Sequence, residues 1–164
     1  MLTGSAAGMF YGLNRATADL DIVIDVNSAT LPVLIGAFEP DYLADAEMAR
    51  DAVQRHWMFN FIAGSGGLKI DFIVLADDPL DLEAMDRRRT LDWHGTSIQV
   101  IDPTDLVLNK LRWARESRSE RQLEDIRAIM AAGDVVEDER FYGWIRRLGV
   151  GSLLDPCTTA GHDS

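Results

Sequence analysis

Two hydrophobic periods alternate along the first hundred residues, and one takes over after them. Residues 20–26, Leu-Asp-Ile-Val-Ile-Asp-Val, are β-branched and apolar and predict a central strand. Residues 57–62 and 68–75 are two more such runs, separated by Gly64-Ser65-Gly66-Gly67, and predict a hairpin. The tetrad could also suggest a phosphate loop, but no helical pattern follows it. Thr96–Ile101 is a further strand, and residues 2–4 read as a strand stub running into a turn.

Between these runs the spacing turns helical. Helices are expected over 5–13 with Ser5 as cap, about 31–38 with Ser28 as cap, 45–54 and 82–89. Asp102-Pro103-Thr104-Asp105 is a helix start, a capping residue followed by proline. Ser119 and Gln122 fit a capping box ahead of the stripe Leu123, Ile126, Ile129 and Met130, and Gly133 closes that helix. A last helix is expected over 137–148, and the tail from Asp155 reads as frayed. The expectation is an α+β (α/β-like) chain with a small mixed sheet flanked by helices. Residues 1–102 would form the core, 103–150 a helical segment packed on it and 151–164 a tail, all in one compact domain.

Composition narrows the class. The chain has 164 residues, 47% apolar and 26% charged, which is ordinary for a globular protein with a true core. No run nears the roughly 18 apolar residues of a membrane span, and no signal peptide is read at the start, so a cytoplasmic protein is expected. Cys157 is the single cysteine, which excludes an internal disulfide and a cysteine-built metal site. His56, His94 and His162 lack metal-ligand spacing, and the four tryptophans read as core or interface. The net charge of −11 argues against nonspecific nucleic-acid binding. Basic residues still cluster, at Arg87-Arg88-Arg89 and from Lys110 to Arg127, where a polyanion such as a nucleoside triphosphate could be drawn.

The chemistry lies near the start. Asp19 and Asp21 are two apart, so in a strand they point to one face. Parallel carboxylates repel, and a divalent cation is a common reason to keep them together. The Gly4-Ser5 turn can offer backbone N–H groups to an anion. Asp71 sits among apolar neighbours, where an aspartate is costly to bury without a partner. If its strand lies beside 20–26, three carboxylates can surround one or two Mg²⁺ ions, which favour few carboxylates plus phosphate oxygens and water.

In this order the residues resemble the nucleotidyltransferases of the DNA polymerase β superfamily. Thr3-Gly4-Ser5-Ala6, Tyr11-Gly12, Arg15-x-Thr17-x-Asp19-Leu20-Asp21 and Lys69-Ile70-Asp71-Phe72 are most similar to the minimal bacterial members related to AbiEii-type abortive-infection toxins. The segments 105–113 and 119–126 also look like that group, although Arg121-Gln122 stands where those toxins often carry Lys-Asp.

The resemblance implies a role for each position. Gly4 and Ser5 would hold the triphosphate, and Asp19 and Asp21 would bind two Mg²⁺ ions. Asp71 would complete the metal site and help deprotonate the acceptor. Lys110 would contact phosphates, Arg15 would do the same or brace the loop, and Asp125 would orient Lys110 or Arg121. The implied reaction moves a nucleoside monophosphate to a hydroxyl of a protein, a tRNA end or a small molecule, in a toxin with a cognate antitoxin or in a homo-oligomer. A non-catalytic nucleotide-binding or regulatory member of the fold is the alternative. A phosphohydrolase using the same carboxylates is a third reading.

Overall fold

The computed structural model describes residues 1–64 and 67–158. Ser65 and Gly66 of the predicted glycine turn, His162 and the end of the predicted tail lie outside them. The chain forms two compact units. One comprises Met1–Ala6 and Ala16–Ile101, the other Ala7–Arg15 and the chain from Asp102 onward.

The first unit is built on a seven-stranded mixed sheet. Its strands are β1 (Leu2–Thr3), β2 (Asp19–Ile24), β3 (Tyr42–Ala44), β4 (Met58–Ala63), β5 (Lys69–Val74), β6 (Arg89–Trp93) and β7 (Thr96–Val100). They lie in the order β3-β4-β5-β2-β1-β7-β6. Strand β2 pairs parallel with β5 and antiparallel with β1, and β4 and β5 form the expected antiparallel hairpin. The stub Leu2–Thr3 is a working strand: β1 bonds β2 on one side and β7 on the other. Side-chain alternation splits the sheet into two faces. On one, Ile70, Phe72, Val74, Phe59 and Phe61 pack against Leu31 of α2 (Leu31–Phe38) and Ala49, Ala52 and Val53 of α3 (Ala46–Arg55). The other face carries Asp19, Asp21, Lys69, Asp71 and Asn60.

Several local expectations are corrected. A left-handed Gly4 starts α1 (Gly4–Gly8), so Ser5 lies inside the first turn and does not precede it as a cap. A 3-10 turn over Met9–Tyr11 follows, and Gly12 ends it with φ 96°, so 5–13 is no continuous helix. Helix α2 starts after Thr30, and the Asn27 side chain, not Ser28, accepts from the nearby amides of Ala29 and Thr30. Helix α4 (Pro79–Arg87) starts earlier than residue 82, because Asp78 accepts from the amides of Leu80 and Asp81 and Pro79 pre-sets the first turn. The strands β3 and β6 were not anticipated. A two-residue connection, His94-Gly95, joins β6 to β7 with positive φ at both positions, the geometry of a type I′ hairpin.

The second unit is helical. It contains α5 (Pro103–Ser117), α6 (Glu120–Ala131), α7 (Glu139–Leu148) and α8 (Gly151–Thr158). Helix α5 starts as the sequence predicts, with Asp102 accepting from the Thr104 amide at 2.9 Å. The capping box at α6 does not form: Ser119 makes no side-chain cap bond. The Gln122 amide oxygen instead accepts from Lys110 Nζ at 3.1 Å. The core of this unit includes Leu106, Leu108, Leu111, Ile126, Ile129 and Phe141. Of the tryptophans read as core or interface, Trp144 is buried, whereas Trp57 is 70% exposed. Among the described residues, no helix is long and apolar enough to cross a membrane.

Candidate active site

The parallel register of β2 and β5 decides the geometry. Asp21 lies level with Asp71, and Asp19 with Lys69, so four side chains form a two-by-two grid on one face. The Asp21–Asp71 row continues outward to Thr3 on β1 and Asn60 on β4. Asp19 is exposed, Asp21 half-buried and Asp71 buried. The sequence grouped the three carboxylates on the condition that these strands were neighbours, and they are.

Gly4 explains how the turn meets the grid. Its φ is +64°, and a Cβ placed there would lie 1.9 Å from Asp21 Oδ2. The Asp21 carboxylate therefore rests where any larger residue would put its side chain. Gly4 is needed twice, for its left-handed backbone and for the close approach. Ser5 follows directly in the first turn of α1.

Lys69, a residue the sequence reading did not place in the site, holds Asp71. Its Nζ lies 2.9 Å from Oδ2 and 2.8 Å from Oδ1. Only the first contact has hydrogen-bond geometry, so among the described residues the buried Oδ1 accepts no hydrogen bond. The Asp71 hydrogen bond, with Asp19 and Asp21 adding their fields, raises the Lys69 pKa and keeps the amine protonated. The signal was present: Lys69 and Asp71 are two apart in a strand and so share a face.

The residues suit a hard divalent cation in kind. All donors are carboxylate oxygens, they lie on adjacent strands, and Asp71 Oδ1, in ion contact with Lys69 Nζ at 2.8 Å, accepts no hydrogen bond among the described residues. As they stand they are not gathered around one point: among the described residues, no group of three His, Cys, Asp or Glu side chains is arranged to hold a metal ion. Lys69 supplies the local positive charge.

The remaining predicted residues, Arg15, Lys110 and Asp125, meet in the helical unit. Asp125 accepts from Arg15 Nε at 3.0 Å and Nη2 at 2.8 Å, and from Lys110 Nζ at 2.7 Å. Asp125 and Lys110 are both buried. Burial pushes the Asp125 carboxyl up, but the hydrogen bonds from Arg15 and Lys110 outweigh it and the net shift is downward. Arg15 is held protonated more firmly by the same bond. Of the two roles expected of Asp125, the structure shows it gripping Lys110 and adds Arg15; Arg121 is exposed. The network ties the segment after α1 to α5 and α6.

No protein-family model matches the chain, and no curated protein does. Among solved structures it is similar to the crystal structure of an antigenic nucleotidyltransferase-like protein from Paracoccidioides brasiliensis. The two are 15% identical, with a TM-score of 0.51, over 95% of this chain and 82% of that one. The likeness is one of fold: this chain has a mixed α/β fold shared with a nucleotidyltransferase-like protein.

Proposed function

We propose that the protein is a Mg²⁺-dependent nucleotidyltransferase that moves a nucleoside monophosphate from a nucleoside triphosphate to an acceptor hydroxyl. The observation that carries this reading is the level placement of Asp21 and Asp71 on adjacent parallel strands, with Asp19 on the same face and Gly4 against Asp21. Asp19, Asp21 and Asp71 would hold the metal. Bound Mg²⁺, two ions in this reading, would supply charge neutralisation and Lewis acidity at the triphosphate. Gly4 and Ser5 would offer the backbone N–H groups that bind phosphate oxygens. Asp71 would take the proton of the acceptor hydroxyl as its oxygen bonds to the α-phosphorus and the bond to pyrophosphate breaks.

The fold likeness supports a transferase of this type. The motif order supports the AbiEii-type subgroup, and with it a toxin restrained by an antitoxin. The acceptor is a protein hydroxyl, a tRNA end or a small molecule; the charge of −11 disfavours a long nucleic acid. In the test, protein, Mg²⁺ and each α-labelled nucleoside triphosphate are incubated with candidate acceptors. Label transfer with pyrophosphate release is expected, and its loss in Asp21→Ala. No transfer to any acceptor, or transfer unaffected by that substitution, would sink the reading.

The ion pair of Lys69 with Asp71 favours one second reading, a nucleotide-binding member without turnover. Nucleotide binding by calorimetry with no pyrophosphate release is its signature. Free phosphate in place of pyrophosphate would mark a phosphohydrolase.

A further inference from the structure

We propose that Lys69 is a built-in counter-cation of the carboxylate cluster, one that yields Asp71 to a divalent metal and then turns to the triphosphate. The inference rests on the nucleotidyltransferase reading and adds a residue to it. The geometry starts from the grid. Lys69 is level with Asp19 on the neighbouring strand and two residues from Asp71, so its stem rises among three carboxylates. Its Nζ is within 2.9 Å of both Asp71 oxygens. Three like charges on adjacent strands repel strongly, and one ammonium at the most buried of them offsets much of that repulsion.

A metal ligated by Asp71 needs the same oxygens. A dication and an ammonium cannot both sit at bonding distance from one carboxylate without repelling each other. Lys69 can leave: its side chain is 41% exposed and ends a flexible four-carbon stem. With the carboxylates claimed by metal, the oxygens of a triphosphate bound at the same face would become its strongest acceptors. Lys69 is therefore a positioning residue in the unloaded protein and a phosphate contact in the loaded one. An ordinary structural ion pair would make neither exchange.

The two roles predict opposite signs in one variant. The full chain, Lys69→Met and Lys69→Arg are titrated with Mn²⁺ alone by electron paramagnetic resonance. They are then titrated with inorganic tripolyphosphate in saturating Mg²⁺ by calorimetry, a probe that does not depend on the base. Removing the competing charge in Lys69→Met should tighten Mn²⁺ binding about fivefold and weaken tripolyphosphate binding, while Lys69→Arg stays near the natural values. If Mn²⁺ binds the natural protein, is lost in Asp21→Ala, and is no tighter in Lys69→Met, the counter-cation role is wrong and the metal site stands. Unchanged tripolyphosphate affinity in Lys69→Met overturns the phosphate contact. No Mn²⁺ binding to the natural chain or to Lys69→Met overturns the metal site and this proposal together.

Discussion

Gly4 shows how much a single position can carry. Its left-handed φ costs a non-glycine residue about 1–2 kcal/mol, and its missing Cβ leaves the space that Asp21 Oδ2 fills. Gly4→Ala should therefore destabilise the protein by about that amount or more and push the Asp21 carboxylate off the grid. Urea unfolding measures the first effect and Mn²⁺ binding the second. A variant of natural stability that binds Mn²⁺ normally would show that the close approach is unimportant. From the sequence, Gly4-Ser5 was legible as the turn that ends a strand stub. That Gly4 also makes room for an aspartate seventeen residues on depends on the β1–β2 pairing, which places Thr3 level with Asp21. Lys69 is the converse case: its spacing from Asp71 was visible, but its ion pair is a matter of side-chain direction.

At the scale of elements, local capping chemistry read well where a side chain had no better partner. Asp102-Pro103 starts α5 as its sequence says; Asp78-Pro79, the same signal, starts α4, although that helix was expected only from residue 82. Ser119 with Gln122 has the spacing of a capping box, yet Gln122 bonds Lys110 on another helix. A charge-assisted bond to a buried lysine outcompetes a neutral local one. The two helix starts should thus respond differently to substitution. Asp102→Ala should cost about 1 kcal/mol, and Ser119→Ala should change little; thermal melts followed by circular dichroism separate them. Equal losses would mean that Ser119 caps α6 in solution. The short strands β3 and β6 escaped notice because three to five residues carry little periodicity, and because His94-Gly95 is not one of the commonest hairpin dipeptides.

At the scale of the molecule, the contacts that organise each unit join distant residues. Asp125 gathers Arg15 and Lys110 from 110 and 15 positions away. Its depressed pKa fixes the sign of the pH dependence. A carboxyl whose folded value lies below its unfolded value contributes stability that is present above the unfolded value, about 3.9, and lost as pH falls through the folded one. Acid titration should therefore loosen the helical unit below about pH 4. Asp125→Asn should start less stable, with Lys110 buried and less well paired, and show a flatter profile in that window. Helical signal against pH for the two proteins checks this; identical acid profiles would mean that other carboxylates govern the transition.

The sequence by itself determined the kinds of element, most of their positions and the chemical character of the candidate site. Strand and helix periods are written in the order of apolar residues, and carboxylates two apart in a strand share a face whatever lies beside it. What only the tertiary structure decided was adjacency. The parallel β2–β5 register sets Asp21 level with Asp71, and a one-residue slip would have turned one of them to the apolar face. Asp125 faces Arg15 and Lys110 because three segments fold together, and Lys69 reaches Asp71 because its stem points that way. Pairing across a sheet or between helices is settled by burial summed over the whole chain, and no local window of residues contains that sum.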